Sequence, residues 1–348
     1  MADILNINGL SRHFKIGGML FGSKITAVDG VDITIPGDQP QIMSIVGESG
    51  CGKTTLAKMI LQLLDPSSGN IVLEGVPLSY YAKRKNKKEF YKKVQPIFQN
   101  PFTTFSSRRT VDAYLYETAL NLDAAKSKAE AKQIITEALR SVGLEYGQVA
   151  GKYPNQFSGG ELQRISIARA LIPKPRLIVA DEPVAMIDAS LRMNVVNLFK
   201  KLKEEYNVSF IYITHDLSTA YYVSDYIATM YRGNLIEFGD AKQILNRPAH
   251  PYTELLLDSI PRVGKKWDER MALPDIETKE YAMNGCKFAG RCVYAKEICH
   301  TAKPYMVDVQ DRHQVLCFKH NDYAAAPAPA PALAGSGMAR DHQSDISL

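Results

Sequence analysis

Two hydrophobic rhythms divide the chain. The segment ITAVDGVDITI (25–35) alternates apolar and polar residues with period two, which predicts a strand with one buried face. QIMSIV (41–46) and RLIVAD (176–181) are short continuous apolar runs, the pattern of strands covered on both faces. Between them, residues 111–149 are rich in Ala, Leu, Glu and Lys and predict a helical insertion. Strand and helix patterns alternating to about residue 240 predict an α/β domain. Beyond it, Pro248, Pro251 and Pro261 punctuate a helical piece, TELLLDSI, and a loop-rich segment with cysteines follows from about 280 to 320. The end, AAAPAPAPALAGSG and onward, is low-complexity Ala/Pro and predicts a disordered, extended tail. The expected organisation is therefore 1–240, with a helical part at about 101–172, then an extension over 241–323 and a tail over 324–348. No internal repeat is visible.

Composition narrows the classes. A length of 348 residues allows two domains or one with an appendage. Hydrophobic residues at 45% and charged residues at 23% fit a soluble globular protein. The balance of 42 basic and 37 acidic residues, +5, gives no reason to expect a nucleic-acid partner. No apolar run approaches the ~18 to 20 residues needed to cross a bilayer, and MADILNINGL lacks the charge and apolar core of a signal peptide. The chain is thus expected to be neither secreted nor a channel. The basic run KRKNKKEFYKK (83–93) is read as a solvated helix face, with acidic lipid headgroups as the second reading.

The chemistry begins at GESGCGKTT (47–55), directly after the QIMSIV strand. Gly47, Gly52, Lys53 and Thr54 fit the phosphate-loop pattern, and Ser49, Gly50 and Thr55 complete the candidate cradle. Glycines let successive backbone N–H groups curl toward phosphate oxygens, and a following helix adds its positive end. Lys53 is expected at the β- and γ-phosphates and the Thr54 hydroxyl on Mg²⁺. Cys51 is read as a small filler. RLIVADEP supplies the second half: Asp181, at the carboxyl end of its strand, is a candidate Mg²⁺ holder and Glu182 a candidate general base.

FSGGELQRISIARAL (157–171) places Ser158, Gly159 and Gly160 at a helix start, a second anion site in a chain that already has one. Service to a nucleotide held by a second chain resolves the surplus. Here the sequence closely resembles the ATP-binding subunits of ABC transporters, whose signature motif this matches, and the resemblance spans residues 1 to about 240. It implies a P-loop NTPase (ABC ATPase) core and two ATP molecules sandwiched head to tail between two such subunits. It further implies that Gln99 senses Mg²⁺ and contacts the membrane subunit, Asp188 belongs to the D-loop, and His215 bonds the γ-phosphate. Phe14 is the match to the aromatic residue that stacks on adenine.

Departures from the family pattern are Ala185-Met186-Ile187-Asp188, without the usual serine, and Glu161 in place of glutamine, read as silent. GKYPNQ before the signature favours an importer. HPYTELLLDSIP (250–261) resembles a stretch of the oligopeptide and dipeptide importer branch. Cys286, Cys292, Cys299 and Cys317, spaced Cys-x5-Cys-x6-Cys-x17-Cys, come close to that branch's pattern. Four thiolates can hold zinc or an iron–sulfur cluster. The gaps are wider than zinc knuckles, and the resemblance implies a [4Fe–4S] cluster, with Zn²⁺ as the alternative and free thiols as the third reading.

The expected function is ATP binding and hydrolysis powering an importer of peptides or related solutes, with oligosaccharide, opine or nickel left open. Expected partners are a second ATP-binding subunit, identical or homologous, two transmembrane permease subunits and an extracytoplasmic solute-binding protein. The expected location is peripheral, on the cytoplasmic face of the inner membrane. The rival is a soluble ABC-type ATPase acting on nucleic acid or ribosomes.

Overall fold

The computed structural model describes residues 2–16, 23–260, 281 and 283–321. The expected tail at 324–348 and part of the expected extension lie outside these residues. Two sheets carry the described part. The smaller is antiparallel, in the order β2 (Ser23–Ile35), β1 (Leu5–Ile16), β4 (Ser68–Leu73) and β5 (Val76–Pro77). The period-two segment 25–35 falls in β2, with Val28, Val31, Ile33 and Ile35 buried.

The larger sheet has eight strands in the order β11-β12-β10-β9-β3-β8-β7-β6. Five run parallel: β6 (Val94–Ile97), β7 (Leu177–Asp181), β8 (Ser209–Thr214), β3 (Ile42–Val46) and β9 (Tyr226–Tyr231). The continuous apolar runs are the buried strands β3 and β7, because helices cover both faces of a parallel sheet. Antiparallel β10 (Asn234–Asp240), β12 (His313–Val315) and β11 (Val307–Gln310) extend the sheet at one edge. Strands from the extension therefore join the main sheet, with Glu237 opposite Val315.

Between β6 and β7 the chain is helical, including Val111–Asn121, Lys128–Ser141 and Gly159–Leu171. Leu115, Ile135, Leu139, Leu162 and Ile165 from these helices pack together in one core with Phe199 and Phe210. The basic run 83–93 forms the helix Lys87–Lys93, which buries Phe90 and directs Lys88 and Lys92 to Asp123. Among the described residues no helix is long and apolar enough to cross a membrane.

Candidate active site

β3 ends at Val46 and the chain curls through 47–52 before the helix Lys53–Ile60. The curl needs glycine for two separate reasons. Gly47, Gly50 and Gly52 have φ of 149°, 79° and 111°, which L side chains rarely adopt. A Cβ would also meet the Met230 carbonyl oxygen at 2.2 Å from Gly47 and the Ala27 carbonyl oxygen at 2.2 Å from Gly52. Gly52 caps the helix with no side-chain hydrogen bond, leaving the first-turn N–H groups to an anion. Ser49 and Thr54 are exposed and Thr55 half-buried at this turn.

Lys53 is buried, and its Nζ donates to the carbonyls of Gly47 at 2.7 Å and Glu48 at 2.9 Å. The loop is thus closed around its own ammonium group. Cys51 is buried beside it, and burial pushes its thiol up in pKa, as suits a neutral filler.

Parallel pairing of β3, β8 and β7 brings three strand ends to this loop. The Thr54 hydroxyl lies 3.4 Å from Asp181 Oδ1, so the two expected Mg²⁺ holders are adjacent. Burial raises the Asp181 carboxyl above its ordinary range; the Thr54 bond opposes this and neighbouring Glu182 adds to it. A divalent cation between loop and strand would reverse that penalty.

Glu182 has φ 47°, and its N–H donates to the Ile213 carbonyl at 2.8 Å. This turn carries its carboxylate between two partners. Gln99 Nε2 donates to Oε2 at 2.9 Å, and His215 Nδ1 lies 3.0 Å from Oε1. Gln99 follows β6 and His215 follows β8, so three successive strands of the sheet each deliver one member. A carboxylate held between an amide donor and an imidazole, one residue from an expected cation holder, can accept a proton from water.

Phe14 lies in β1 opposite Ile25 of β2, the strand whose Ala27 abuts Gly52. The Arg12 guanidinium stands 5.0 Å from its ring centre.

The second anion site is separate. Ser158 caps the helix Gly159–Leu171, and its hydroxyl is 2.8 Å from Glu161 Oε2, which also accepts from the Ser158 N–H at 2.9 Å. Glu161 closes a capping box with Ser158, a role that glutamine can also fill, and these bonds hold its carboxyl below the usual range. The S-x-x-E spacing in the sequence is the signal for it. A Cβ on Gly159 would stand 3.0 Å from the Met186 carbonyl oxygen, and one on Gly160 3.9 Å from Ile187. The segment 185–188 thus lies against the signature helix of its own chain, with Asp188 exposed at the next helix start. Among the described residues no side-chain hydrogen bond joins Ser158 or Asp188 to the 47–55 loop.

The cysteine expectation meets a mixed outcome. Cys286, Cys292, Cys299 and Cys317 are free thiols and line one cavity of about 250 Å³. Yet among the described residues no group of three or more Cys, His, Asp or Glu could hold a metal ion. Burial raises Cys286 to about 11 and also raises Cys292 and Cys317, so these thiols are neutral without a cation. His250 lines the same cavity; its Nδ1 accepts from the Tyr252 N–H, and its buried Nε2 has no hydrogen-bond partner among the described residues. A neutral His250 bonded this way carries its proton on Nε2.

Sequence reasoning missed Glu48. The non-glycine positions of a phosphate loop carry no pattern of their own, and its partner, Arg291, is 243 residues away.

Residues 28–185 match the family model described as ABC transporter, and 236–299 the one described as oligopeptide/dipeptide transporter, C-terminal region. The chain is 36% identical over 321 residues to the oligopeptide transport ATP-binding protein AppF of Bacillus subtilis, covering 90% of this chain and 96% of that one. It is 35% identical over 323 residues to OppF of Haemophilus influenzae, covering 91% and 97%. Among solved structures, cbiO1 from Clostridium perfringens, part of the ABC transporter complex cbiONQ, aligns with a TM-score of 0.61 at 25% identity over 71% of this chain and 92% of that one. The dimeric cassette MJ0796 bound to ADP and Pi aligns at 0.60 and 26%, over 68% and 98%. With its phosphate loop, strand-end carboxylates and signature helix on one sheet, the chain belongs to the ABC transporter family as an ATP-binding, ATP-hydrolysing subunit.

Proposed function

We propose that this subunit drives the import of peptides or closely related solutes, working peripherally at the cytoplasmic face of the inner membrane. The observation that carries the reading is Glu182, held between Gln99 and His215 one residue beyond Asp181, which meets Thr54 of the phosphate loop. In this reading Gly47, Ser49, Gly50, Gly52, Thr54 and Thr55 wrap the phosphates, and Lys53 turns its ammonium from loop carbonyls to the β- and γ-phosphates. Thr54, Asp181 and Gln99 would hold Mg²⁺, which would neutralise charge on the phosphates. Glu182 accepts the proton of the attacking water, His215 bonds the γ-phosphate, and Phe14 stacks on adenine. Ser158, Gly159, Gly160 and Asp188 act on the nucleotide of a second ATP-binding subunit.

The match of residues 236–299 to the oligopeptide/dipeptide transporter region supports peptides as the cargo class. Exposed Phe98 and Phe102 beside Gln99 support docking of a transmembrane permease subunit there. Exposed Met186, Leu191 and Met193 beside Asp188 support a meeting with the second ATP-binding subunit. A solute-binding protein outside the membrane completes the proposed importer. The four cysteines are proposed as ligands of a [4Fe–4S] cluster in preference to Zn²⁺, a reading for which the support is that the four free thiols line one cavity. Such a cluster would tie down loop-rich chain.

The test is uptake by vesicles carrying the chain with its native membrane partners. Labelled peptide should enter only with ATP inside, and Glu182→Gln should stop it; ATP-independent uptake, or uptake of other solutes but no peptide, would sink the reading. Iron and sulfide content with visible absorbance, measured without oxygen, tests the cluster. Zinc or no metal in stoichiometric amount would refute it.

A further inference from the structure

The chain beyond residue 240 reaches back to the phosphate loop. Arg291 ends the short turn Ala289–Arg291 and directs both terminal nitrogens at Glu48, the residue after Gly47. Nη1 lies 3.1 Å from Oε2 and Nη2 2.9 Å from Oε1. The side chains are only 8% and 17% exposed, so the pair is largely withdrawn from water. Nη1 also donates to the Tyr231 hydroxyl at 3.3 Å, and the guanidinium lies near the rings of Tyr231 and Phe288. Two tyrosines act beside it. The Tyr252 hydroxyl accepts from the Glu48 N–H at 2.9 Å, and the Tyr281 hydroxyl donates to the Gly50 carbonyl.

Glu48 is therefore held at its N–H and its carboxylate by the extension, and at its carbonyl by Lys53. A bidentate guanidinium–carboxylate pair fixes direction as well as distance. A loop with three glycines at positive φ has wide conformational freedom unless something outside it removes that freedom. Ordering a loop before its ligand arrives lowers the entropy cost of binding.

We propose that Arg291 is a positioning residue for the ATP site, holding the phosphate loop through Glu48 so that nucleotide affinity depends on the C-terminal extension. The inference rests on the reading of residues 47–55 as the ATP cradle. Arg291 itself touches no nucleotide; its effect belongs in binding rather than in the proton transfer at Glu182.

Full-length chain carrying Arg291→Met, Arg291→Lys, Glu48→Gln and the double change Arg291→Met/Glu48→Gln tests it, with Lys53→Ala as the control. Equilibrium binding of MgATP and the KM and kcat of hydrolysis are the readouts. Arg291→Met and Glu48→Gln should each weaken MgATP binding and raise KM about tenfold, with kcat within about twofold of wild type. The double variant should be no weaker than the worse single one, and Arg291→Lys should recover part of the loss, having the charge without the fork. Unchanged MgATP affinity, losses that multiply in the double variant, or a fall in kcat at constant KM would each overturn the proposal. If Arg291→Met does not fold, Glu48→Gln decides alone, because it removes a charge at nearly constant volume. Lys53→Ala separates the two readings. Binding intact in Lys53→Ala refutes the ATP cradle; binding lost there but intact in the Arg291 and Glu48 variants refutes only the positioning role.

Discussion

Glu182 is a non-glycine residue at φ 47°, a conformation that costs of order 1–3 kcal/mol unless its surroundings impose it. The bond from its N–H to Ile213 and the two donors on its carboxylate supply that constraint. Glu182→Gln keeps the shape and removes the proposed base. We expect MgATP affinity near wild type and turnover lower by about 10² to 10⁴, read by equilibrium binding and phosphate release. His250 offers a pH test. Burial lowers it from 6.5 to about 4, so the unfolded chain binds more protons between those values. Stability should therefore fall as pH drops from about 6.5 toward 4, by up to about 3 kcal/mol in all. Asn at 250 can still accept from the Tyr252 N–H but does not titrate. His250→Asn should flatten the thermal midpoint across that window; an unchanged slope would remove His250 as the cause. Residues of the phosphate loop and Asp181 are legible in sequence because their chemistry is compressed into short local patterns. Glu48, Tyr252 and Arg291 are not, because each acquires its role from partners two hundred residues away.

At the scale of elements, the loop between β3 and the helix Lys53–Ile60 depends on backbone shape more than on side chains. Gly52→Ala places a Cβ against the Ala27 carbonyl of β2, with no flexible side chain to give way. The loop must shift, and MgATP affinity should fall at least about tenfold, measured by titration of the folded variant. Affinity equal to wild type would show that the curve is not needed. Strands β2, β3 and β7 and the helical region after β6 are readable from periodicity, because burial on one face or two leaves a repeat in the chain. Strands β11 and β12 leave none. They have four and three residues, and β12 is held by pairing with β10 across more than seventy residues of chain. Glu161 lies between these cases: its departure from the family pattern is visible, whereas its bonds to Ser158 follow from the capping spacing and the fold together.

At the scale of the whole molecule, the proposed permease partners would take up the motion of this ATPase, in which no helix among the described residues is long and apolar enough to cross a membrane. The exposed pair Phe98 and Phe102 brackets Gln99, which bonds Glu182, so a surface contact there is one side chain from the proposed general base. Phe102→Asp should weaken co-purification with the membrane partners while leaving MgATP binding by the isolated chain unchanged. Retention at wild-type level would place the docking surface elsewhere. The central claim is that ATP hydrolysis at Glu182 powers a transporter, and its most direct measurement is phosphate release by the chain assembled with its native membrane partners, wild type against Glu182→Gln. The account predicts steady turnover in the wild type and a loss of about 10² to 10⁴ in the variant at unimpaired MgATP binding. Equal turnover in the two, or no MgATP binding by the wild type, would contradict it.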